Sequence, residues 1–345
     1  MAKEKKGGNP WIKILGIVVV IVIFFALFDV ELIIEQIKNA DWGYLGAATA
    51  VLLLSYLIMA IRLRYMLGNQ PKLGYTFHAT NAANMMNLIT FIPVTMIKIF
   101  LMGQNKKVDI PQATSSVTIG IAFDWVVKII SLLGVILLKM QTTSVGLFLL
   151  IGGVLILLIL GLLLLLDAKS ESIGTKGAPL LARLPVISED QANEAVGSFM
   201  EGLGSVGSPL QLIITMLWSL LGWVGGFMFY YLGMLAMGIQ LTPDLMMAGV
   251  LFAGFVVNPF SPYLPGLYHV LLVASIYIVT QADVDSLVAL SVVLHAALLI
   301  VWFGMGALGL RVLDLEFSDF REQISAGIQQ MRDESSKNKT QEVQS

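Results

Sequence analysis

Long apolar runs separated by short polar segments cover most of the chain, and this pattern predicts a bundle of membrane-spanning helices. A helix rises about 1.5 Å per residue, so roughly 20 apolar residues cross a hydrocarbon core about 30 Å thick. Six segments are long enough to span, at roughly 11–29, 43–65, 111–138, 143–166, 209–237 and 286–310. We therefore predict an all-α polytopic membrane protein with six full spans.

Two further apolar segments, at roughly 77–102 and 245–281, are interrupted by proline and polar residues. The interruptions run from Asn87 to Pro93 and from Asn258 to Gly266. Lipid tolerates non-helical backbone only where protein or a water-filled cavity covers it. The two interruptions therefore predict a transport pathway.

The distribution of lysine and arginine indicates how these broken segments lie in the membrane, because basic residues in short loops stay on the cytoplasmic side. If both segments are re-entrant hairpins, only Lys38 and Lys139 lie outside. The basic residues then placed inside are Lys3, Lys5, Lys6, Lys13, Arg62, Arg64, Lys72, Lys106, Lys107, Lys169, Lys176, Arg183 and Arg311. This distribution favours two re-entrant hairpins, with both termini in the cytoplasm.

The predicted topology implies an inverted repeat, in which each half has two spans, a hairpin and a further span. The first repeat covers 1–140, the second covers 141–313, and 314–345 is a polar cytoplasmic tail. Pro93 precedes Asp124 by 31 residues and Pro265 precedes His295 by 30, although coincidence also accounts for one match per half. Inverted repeats of this kind are typical of transporters with a site at the membrane midplane.

The composition agrees with a membrane protein and excludes several chemistries. Hydrophobic residues make up 57% of the chain and charged residues 13%, with no cysteine and three histidines. Thiolate metal sites and disulfides are thereby excluded, and the scattered histidines lack metal-ligand spacing. The chain contains neither a phosphate-binding glycine loop nor a nucleophile motif. We expect no enzyme activity, no metal and no cofactor.

Asp124 and Lys128 are four residues apart in one predicted span and share a helical face. Ionisable groups at membrane depth are costly and usually face an interior cavity, which makes this pair a candidate site. The alternative is a self-neutralising ion pair that only fixes helix packing.

The first hairpin carries a second group of candidates. Lys98 on its returning arm either attracts a lipid phosphate or extends its ammonium to the interface. Asn81, Asn84 and Asn87 recur every three residues and form a polar stripe, which serves either substrate contact or helix–helix hydrogen bonding.

The histidines and arginines complete the candidates. His295 is either a proton relay or a packing residue, and His269 lies close to the second interruption. Arg62 and Arg64 are topology anchors that also have the charge to hold anionic head groups. The predicted substrate-lining set is Asn84, Asn87, Pro93, Lys98, Asp124, Lys128, Asn258, Pro262, Pro265, Gly266, His269 and His295.

Three stretches resemble the flippase-like family known as the transmembrane region of lysylphosphatidylglycerol synthases: 60–67, 87–101 with Asp124, and 262–266. The likeness covers nearly the whole chain. It departs from the family pattern in its polar residues, since Lys98 replaces an acidic residue and Leu101 an arginine. Further departures are Val94 and Ile97 at glycine positions, Gly120 and Ile121 at a Glu-Arg pair, and Leu272 at a glutamate position.

The resemblance implies an integral protein of the cell (inner) membrane that moves or handles polar lipids through a midplane groove. Its partners would be a membrane phospholipid or polyprenyl lipid and, in trans, a lipid-modifying enzyme. No segment is long enough for the aminoacyl-transfer domain of the synthases, so we expect no lysyl-lipid synthesis. Two alternatives stay open: a non-transporting partner that presents a lipid to a transferase, and a secondary carrier of small solutes.

Overall fold

The computed structural model describes residues 30–90, 92–105, 107–139, 209–258 and 266–316, which form helices joined by short turns. These helices are α1 (Val30–Lys38), α2 (Trp42–Met66), α3 (Leu73–Thr90), α4 (Val94–Gly103), α5 (Ile110–Lys139), α6 (Pro209–Ala236), α7 (Pro243–Val256), α8 (Leu267–Thr280) and α9 (Val284–Val312). The described part of the chain contains no strand. The prediction of an all-α protein is confirmed for it.

Four of the six predicted spans are confirmed as helices long and apolar enough to cross a membrane: α2, α5, α6 and α9. Each begins and ends within two residues of its predicted bounds. The spans predicted at 11–29 and 143–166 lie outside the described residues, as does the chain from 317 onward.

Each predicted interrupted segment consists of two shorter helices, and the first is the pair α3 and α4. α4 begins after Pro93, whose ring removes a backbone donor and prevents continuation of the preceding helix. Side chains of α3 satisfy the backbone at this break. Asn87 Nδ2 donates to the Ile92 carbonyl at 2.6 Å, and Thr90 Oγ1 accepts from the Ile92 amide at 3.3 Å.

The second interrupted segment is the pair α7 and α8. α7 ends at Val256, and the Tyr230 hydroxyl of α6 donates to the Val257 carbonyl at 3.0 Å. α8 begins after Gly266, whose φ of 85° is a left-handed conformation that glycine adopts without steric cost. Residues 259–265, which include Pro262 and Pro265, lie outside the description.

Small residues allow the long helices to approach closely, as is typical of membrane bundles. α2 packs along α6, where a side chain at Gly225 would collide with Ser55. α9 packs along α3, and a Cβ at Gly309 would lie 2.5 Å from the His78 carbonyl oxygen. The same bundle packs α7 against α5 and α8.

The largest apolar cluster lies where α2, α6, α7, α8 and α9 meet, and it includes fully buried Tyr56, Tyr268 and Trp302. A second cluster joins the end of α2 to α3, α4 and the start of α5. The polar groups described next lie beside these two clusters.

Candidate functional site

Arg62 and Asp124 form an ion pair between α2 and α5. Nη1 of Arg62 lies 2.6 Å from Oδ1 of Asp124, and Nη2 lies 3.2 Å from Oδ2. The guanidinium thus binds the carboxylate through two parallel hydrogen bonds, the strongest geometry available to this pair. Both side chains are largely shielded, at 11% and 22% exposure.

α6 supplies two further partners that fix this ion pair. Ser219 donates its hydroxyl proton to the Thr215 carbonyl at 3.0 Å, so its oxygen is free to accept from Arg62 Nη1 at 3.0 Å. Nε1 of Trp223 donates to Asp124 Oδ1 at 2.9 Å. Side chains from three helices, α2, α5 and α6, therefore form this hydrogen-bonded group.

Gly120 makes room for the guanidinium. A Cβ at this position would lie 3.1 Å from Nη2 of Arg62, closer than most side-chain contacts. A larger residue would require the guanidinium to shift.

A partly open cavity of ≈ 80 Å³ lies beside the ion pair, between α2, α3, α4 and α5. Its polar lining residues are Arg62, Thr80, Thr95, Lys98, Ser116 and Asp124. Two of them are cationic and one is anionic, so the lining carries a formal charge of +1. Such a cavity is suited to bind an anion.

Lys98 supplies the unneutralised charge of this cavity. Within the described residues it makes no hydrogen bond and no ion pair. Its neighbours Arg62 and Asp124 form an ion pair with each other, so among the described residues no carboxylate is left to pair with the Lys98 ammonium.

Lys128, which the sequence places on the same helical face as Asp124, does not line the cavity. Its ammonium lies 5.2 Å from the ring centroid of Trp125 and 5.9 Å from that of Trp223. These are cation–π distances. Asp124 forms its salt bridge with Arg62, not with Lys128.

The asparagines of α3 lie outside the cavity lining. Asn81 Nδ2 donates to the Phe77 carbonyl at 2.8 Å, and Asn87 Nδ2 supports the break before α4. Asn84 is fully buried, and neither its amide nitrogen nor its oxygen has a partner among the described residues. Only Asn84 of this stripe thus keeps its full hydrogen-bonding capacity for a ligand or water.

A second polar group lies in the other half of the chain. His269 of α8 contacts Ser291 of α9 through Nδ1 at 2.9 Å, and its Nε2 lies 3.2 Å from Nδ1 of His295. The Tyr268 ring stacks on His295 with centroids 4.5 Å apart. The structure therefore brings two predicted site residues, His269 and His295, into direct contact.

Three further predicted residues lie at the ends of helices. Pro93 and Gly266 immediately precede α4 and α8, and Asn258 follows α7. Nε of Arg64 donates to the Pro71 carbonyl at 2.9 Å, which fixes the turn between α2 and α3.

Sequence reasoning missed the pairing of Arg62 with Asp124 and the contributions of Ser219, Trp223 and Gly120. Opposite charges at membrane depth in two spans were a usable signal, since such groups pair with one another. A serine, a tryptophan and a glycine within apolar spans carry no comparable signal.

Comparison with protein families gives a match over most of the chain. The family described as lysylphosphatidylglycerol synthase TM region matches residues 11–307, most of the chain. Comparison with curated proteins gives no match, and neither does comparison with solved structures.

Proposed function

This chain belongs to the family of lysylphosphatidylglycerol synthase transmembrane regions, and from that premise we propose that it moves anionic lipids across the membrane. The family implies an association with membrane phospholipid. In our proposal the head group enters the cavity beside Arg62, and the acyl chains stay in the bilayer.

The observation that carries the proposal is the unpaired ammonium of Lys98 in a cavity of charge +1. Lys98 is partly buried, and a partly buried ammonium without an ion-pair partner loses some of its hydration, so an anion that enters beside it offsets that cost. The phosphate of a lipid head group carries the required charge. Arg62 then positions the anion, while Asp124 holds the guanidinium in place.

The size of the cavity restricts what enters it. A volume of ≈ 80 Å³ is too small for acyl chains and suits a phosphate-sized group. Ile121, an apolar residue, lines the cavity and is 37% exposed. This exposure supports a lateral path from the bilayer, which a lipid requires and a small hydrophilic solute does not.

Helix packing supports the inverted repeat within this proposal. Among the described helices, the long helix before each interrupted segment packs on its counterpart, α2 on α6. The first arm of each interrupted segment packs on the last helix of the other half, α3 on α9 and α7 on α5. Exchanging the two halves preserves this set of contacts, as a pseudo-twofold relationship requires.

In the same proposal α3–α4 and α7–α8 are re-entrant hairpins that enter from opposite faces of the inner membrane. The distribution of loop lysines and arginines favours a cytoplasmic position for both termini. Lys98 and Thr80, which line the cavity together with residues of α2 and α5, belong to the hairpin that enters from the inside. The chain performs no covalent chemistry on the lipid in this scheme.

Proteoliposomes that contain the purified full chain and tail-labelled phosphatidylglycerol test this function. Dithionite bleaches label in the outer leaflet only, so the bleaching kinetics report lipid movement between leaflets. We expect Lys98→Met to slow movement about ten- to hundredfold, because a hydrogen bond to a charged group contributes about 1.5–3 kcal/mol. Lys72→Met is the matched control, since Lys72 is exposed in the turn before α3.

The outcomes separate the site from the function. Equal rates for wild type and Lys98→Met would reject the cavity as the head-group site. No movement by wild type would reject transport, and co-purification of a lipid-modifying transferase would then favour a lipid-presenting partner. Faster movement of a small anion than of lipid would favour a solute carrier.

A further inference from the structure

The hydrogen bonds around His269 have a defined direction. The Ser291 hydroxyl donates its single proton to the Val288 carbonyl at 2.7 Å. Its oxygen can then only accept from His269, so Nδ1 of His269 carries a proton. In the neutral ring Nε2 of His269 is consequently an acceptor.

The same reasoning fixes the tautomer of His295. Because Nε2 of His269 accepts, Nδ1 of His295 must donate across the 3.2 Å contact. Nε2 of a neutral His295 then carries no proton and has an available lone pair. His295 is 3% exposed, and this Nε2 has no partner within the described residues.

We propose that Ser291, His269 and His295 form a proton-binding chain whose open end is Nε2 of His295. A proton from water joins the lone pair on Nε2, and the pair gains one positive charge. The proton on Nδ1 of His295 can then shift to Nε2 of His269, which transfers the charge to His269. No other bond forms or breaks.

The groups around the pair do not compensate for this charge. The aromatic hydroxyl groups nearby are Tyr268 on α8, Tyr230 on α6 and Tyr56 on α2, all of which are neutral at physiological pH. Besides tyrosines, the charged or titratable groups on the helices packed nearby are Glu31, Glu35 and Lys38 on α1, Asp41 at the start of α2 with Arg62 and Arg64 near its end, His78 on α3, Asp244 on α7, Asp283 and Asp285 at the start of α9, and Arg311 at its end. Asp285 is ten residues from His295, about 15 Å along the helix.

An uncompensated charge in this site favours a conformation in which water reaches the histidines. Proton binding therefore biases the equilibrium between a closed and a hydrated state of the α8–α9 pair. If the proposed lipid movement uses this conformational change, a proton gradient drives it. The coupling rests on the proposed function, whereas the proton-binding chain does not.

Nitrogen NMR of the full chain, labelled with [¹⁵N]histidine in detergent micelles, tests the proton-binding chain directly. His78→Gln leaves His269 and His295 as the reporting rings. We expect both neutral rings to carry their proton on Nδ1, and their signals to change at one shared midpoint on acidification. Protons on Nε2 in both rings, or two independent midpoints, would overturn the proposal.

The variant Ser291→Ala tests which atoms donate and which accept in the hydrogen bonds that join Ser291, His269 and His295. Without the serine oxygen Nδ1 of His269 loses its acceptor, so we expect the Nδ1–H preference to weaken in both rings. Unchanged tautomers in this variant would contradict the argument from the Ser291 hydroxyl.

Lipid movement under an imposed pH gradient tests the coupling. We expect the gradient to change the rate of lipid movement by the wild type several-fold and to leave the rate of His295→Gln unchanged. The rate of His78→Gln should respond to the gradient as the wild-type rate does. A wild-type rate indifferent to the gradient would overturn the coupling alone. If the wild-type protein moves no lipid, the proposed function is rejected. The NMR result then tests the proton-binding chain independently.

Discussion

Arg62 and Asp124 lie 62 positions apart in the sequence, on different helices, and are joined by two hydrogen bonds of 2.6 and 3.2 Å. Removing one member of a shielded pair leaves the other as an uncompensated charge, which costs about 3–5 kcal/mol. We expect Asp124→Asn to lower the free energy of unfolding by an amount near the lower end of this range, because the side chain is 22% exposed. Unfolding of the wild type and of Asp124→Asn in detergent micelles measures this loss of free energy. Asp244→Asn, at the exposed start of α7, is the control.

The double variant Arg62→Met/Asp124→Leu separates stability from function. Replacing a buried pair by apolar residues of similar volume is often neutral or stabilising. We expect the double variant to recover most of the stability lost in Asp124→Asn and still to move lipid more slowly than wild type. Full recovery of both properties would indicate that the ion pair only fixes helix packing.

Gly309 and Gly304 lie on α9 in contrasting surroundings. A Cβ at Gly309 would lie 2.5 Å from the backbone oxygen of His78, which no side-chain movement relieves, whereas Gly304 has nothing within 4 Å. We expect Gly309→Ala to lower the free energy of unfolding by about 1–3 kcal/mol, as overpacking does. Gly304→Ala should instead raise it by up to about 1 kcal/mol through helix propensity. Equal effects on the melting temperature would contradict the close α3–α9 contact.

Asp283 caps the start of α9 by accepting from the Ser286 backbone amide at 2.9 Å. This bond, the bond from the Ser286 hydroxyl and a weaker one from Gln36 together lower the pKa of the carboxyl group. The stabilisation that the Asp283 carboxylate gives the folded protein is therefore complete above the ordinary carboxyl pKa of about 3.9. It is lost as the pH falls through the lower pKa that the carboxyl group has in the folded state. We expect Asp283→Ala to cost about 0.5–2 kcal/mol at pH 7 and less in acid.

Melting temperatures of wild type and Asp283→Ala between neutral pH and about pH 2 measure this dependence. Asp283→Asn keeps a capping oxygen without a charge, so its own stability should show no titration at this position. A wild-type advantage over Asp283→Ala that grows on acidification would contradict the sign of the shift.

Asn84 has both polar atoms of its amide buried without a described partner. An unsatisfied buried polar group costs about 1–3 kcal/mol, so we expect Asn84→Leu, which has the same branched shape and number of side-chain heavy atoms, to raise the free energy of unfolding. Asn81→Leu is the comparison, since the Asn81 amide already donates to Phe77. A lower melting temperature for Asn84→Leu would indicate an unrecognised partner.

The long helices can be predicted from the sequence because a helix that crosses a membrane needs a minimum length and an apolar composition. Both properties can be read without any hydrophobic periodicity. α2, α5, α6 and α9 begin and end close to their predicted bounds. The two interruptions were equally visible, because proline cannot continue a helix whose backbone it deprives of a donor.

The site was only partly predictable, since contacts between spans depend on how helices pack. Asp124 and Lys98 were identified as candidates from charge at membrane depth. The expected partner of Asp124 was Lys128, four residues along the same helix, whereas a bidentate guanidinium from α2 forms the ion pair. Trp223 contacts both the Lys128 ammonium and the Asp124 carboxylate, which sequence spacing does not reveal.

The most direct measurement is an electron cryomicroscopy map of the full chain in nanodiscs that contain phosphatidylglycerol, compared with nanodiscs of phosphatidylcholine alone. We predict head-group density in the cavity between α2, α4 and α5, with its phosphate within hydrogen-bond distance of Lys98 Nζ, and its loss in Lys98→Met. A cavity without lipid density in phosphatidylglycerol nanodiscs, or the same density in Lys98→Met, would contradict the account.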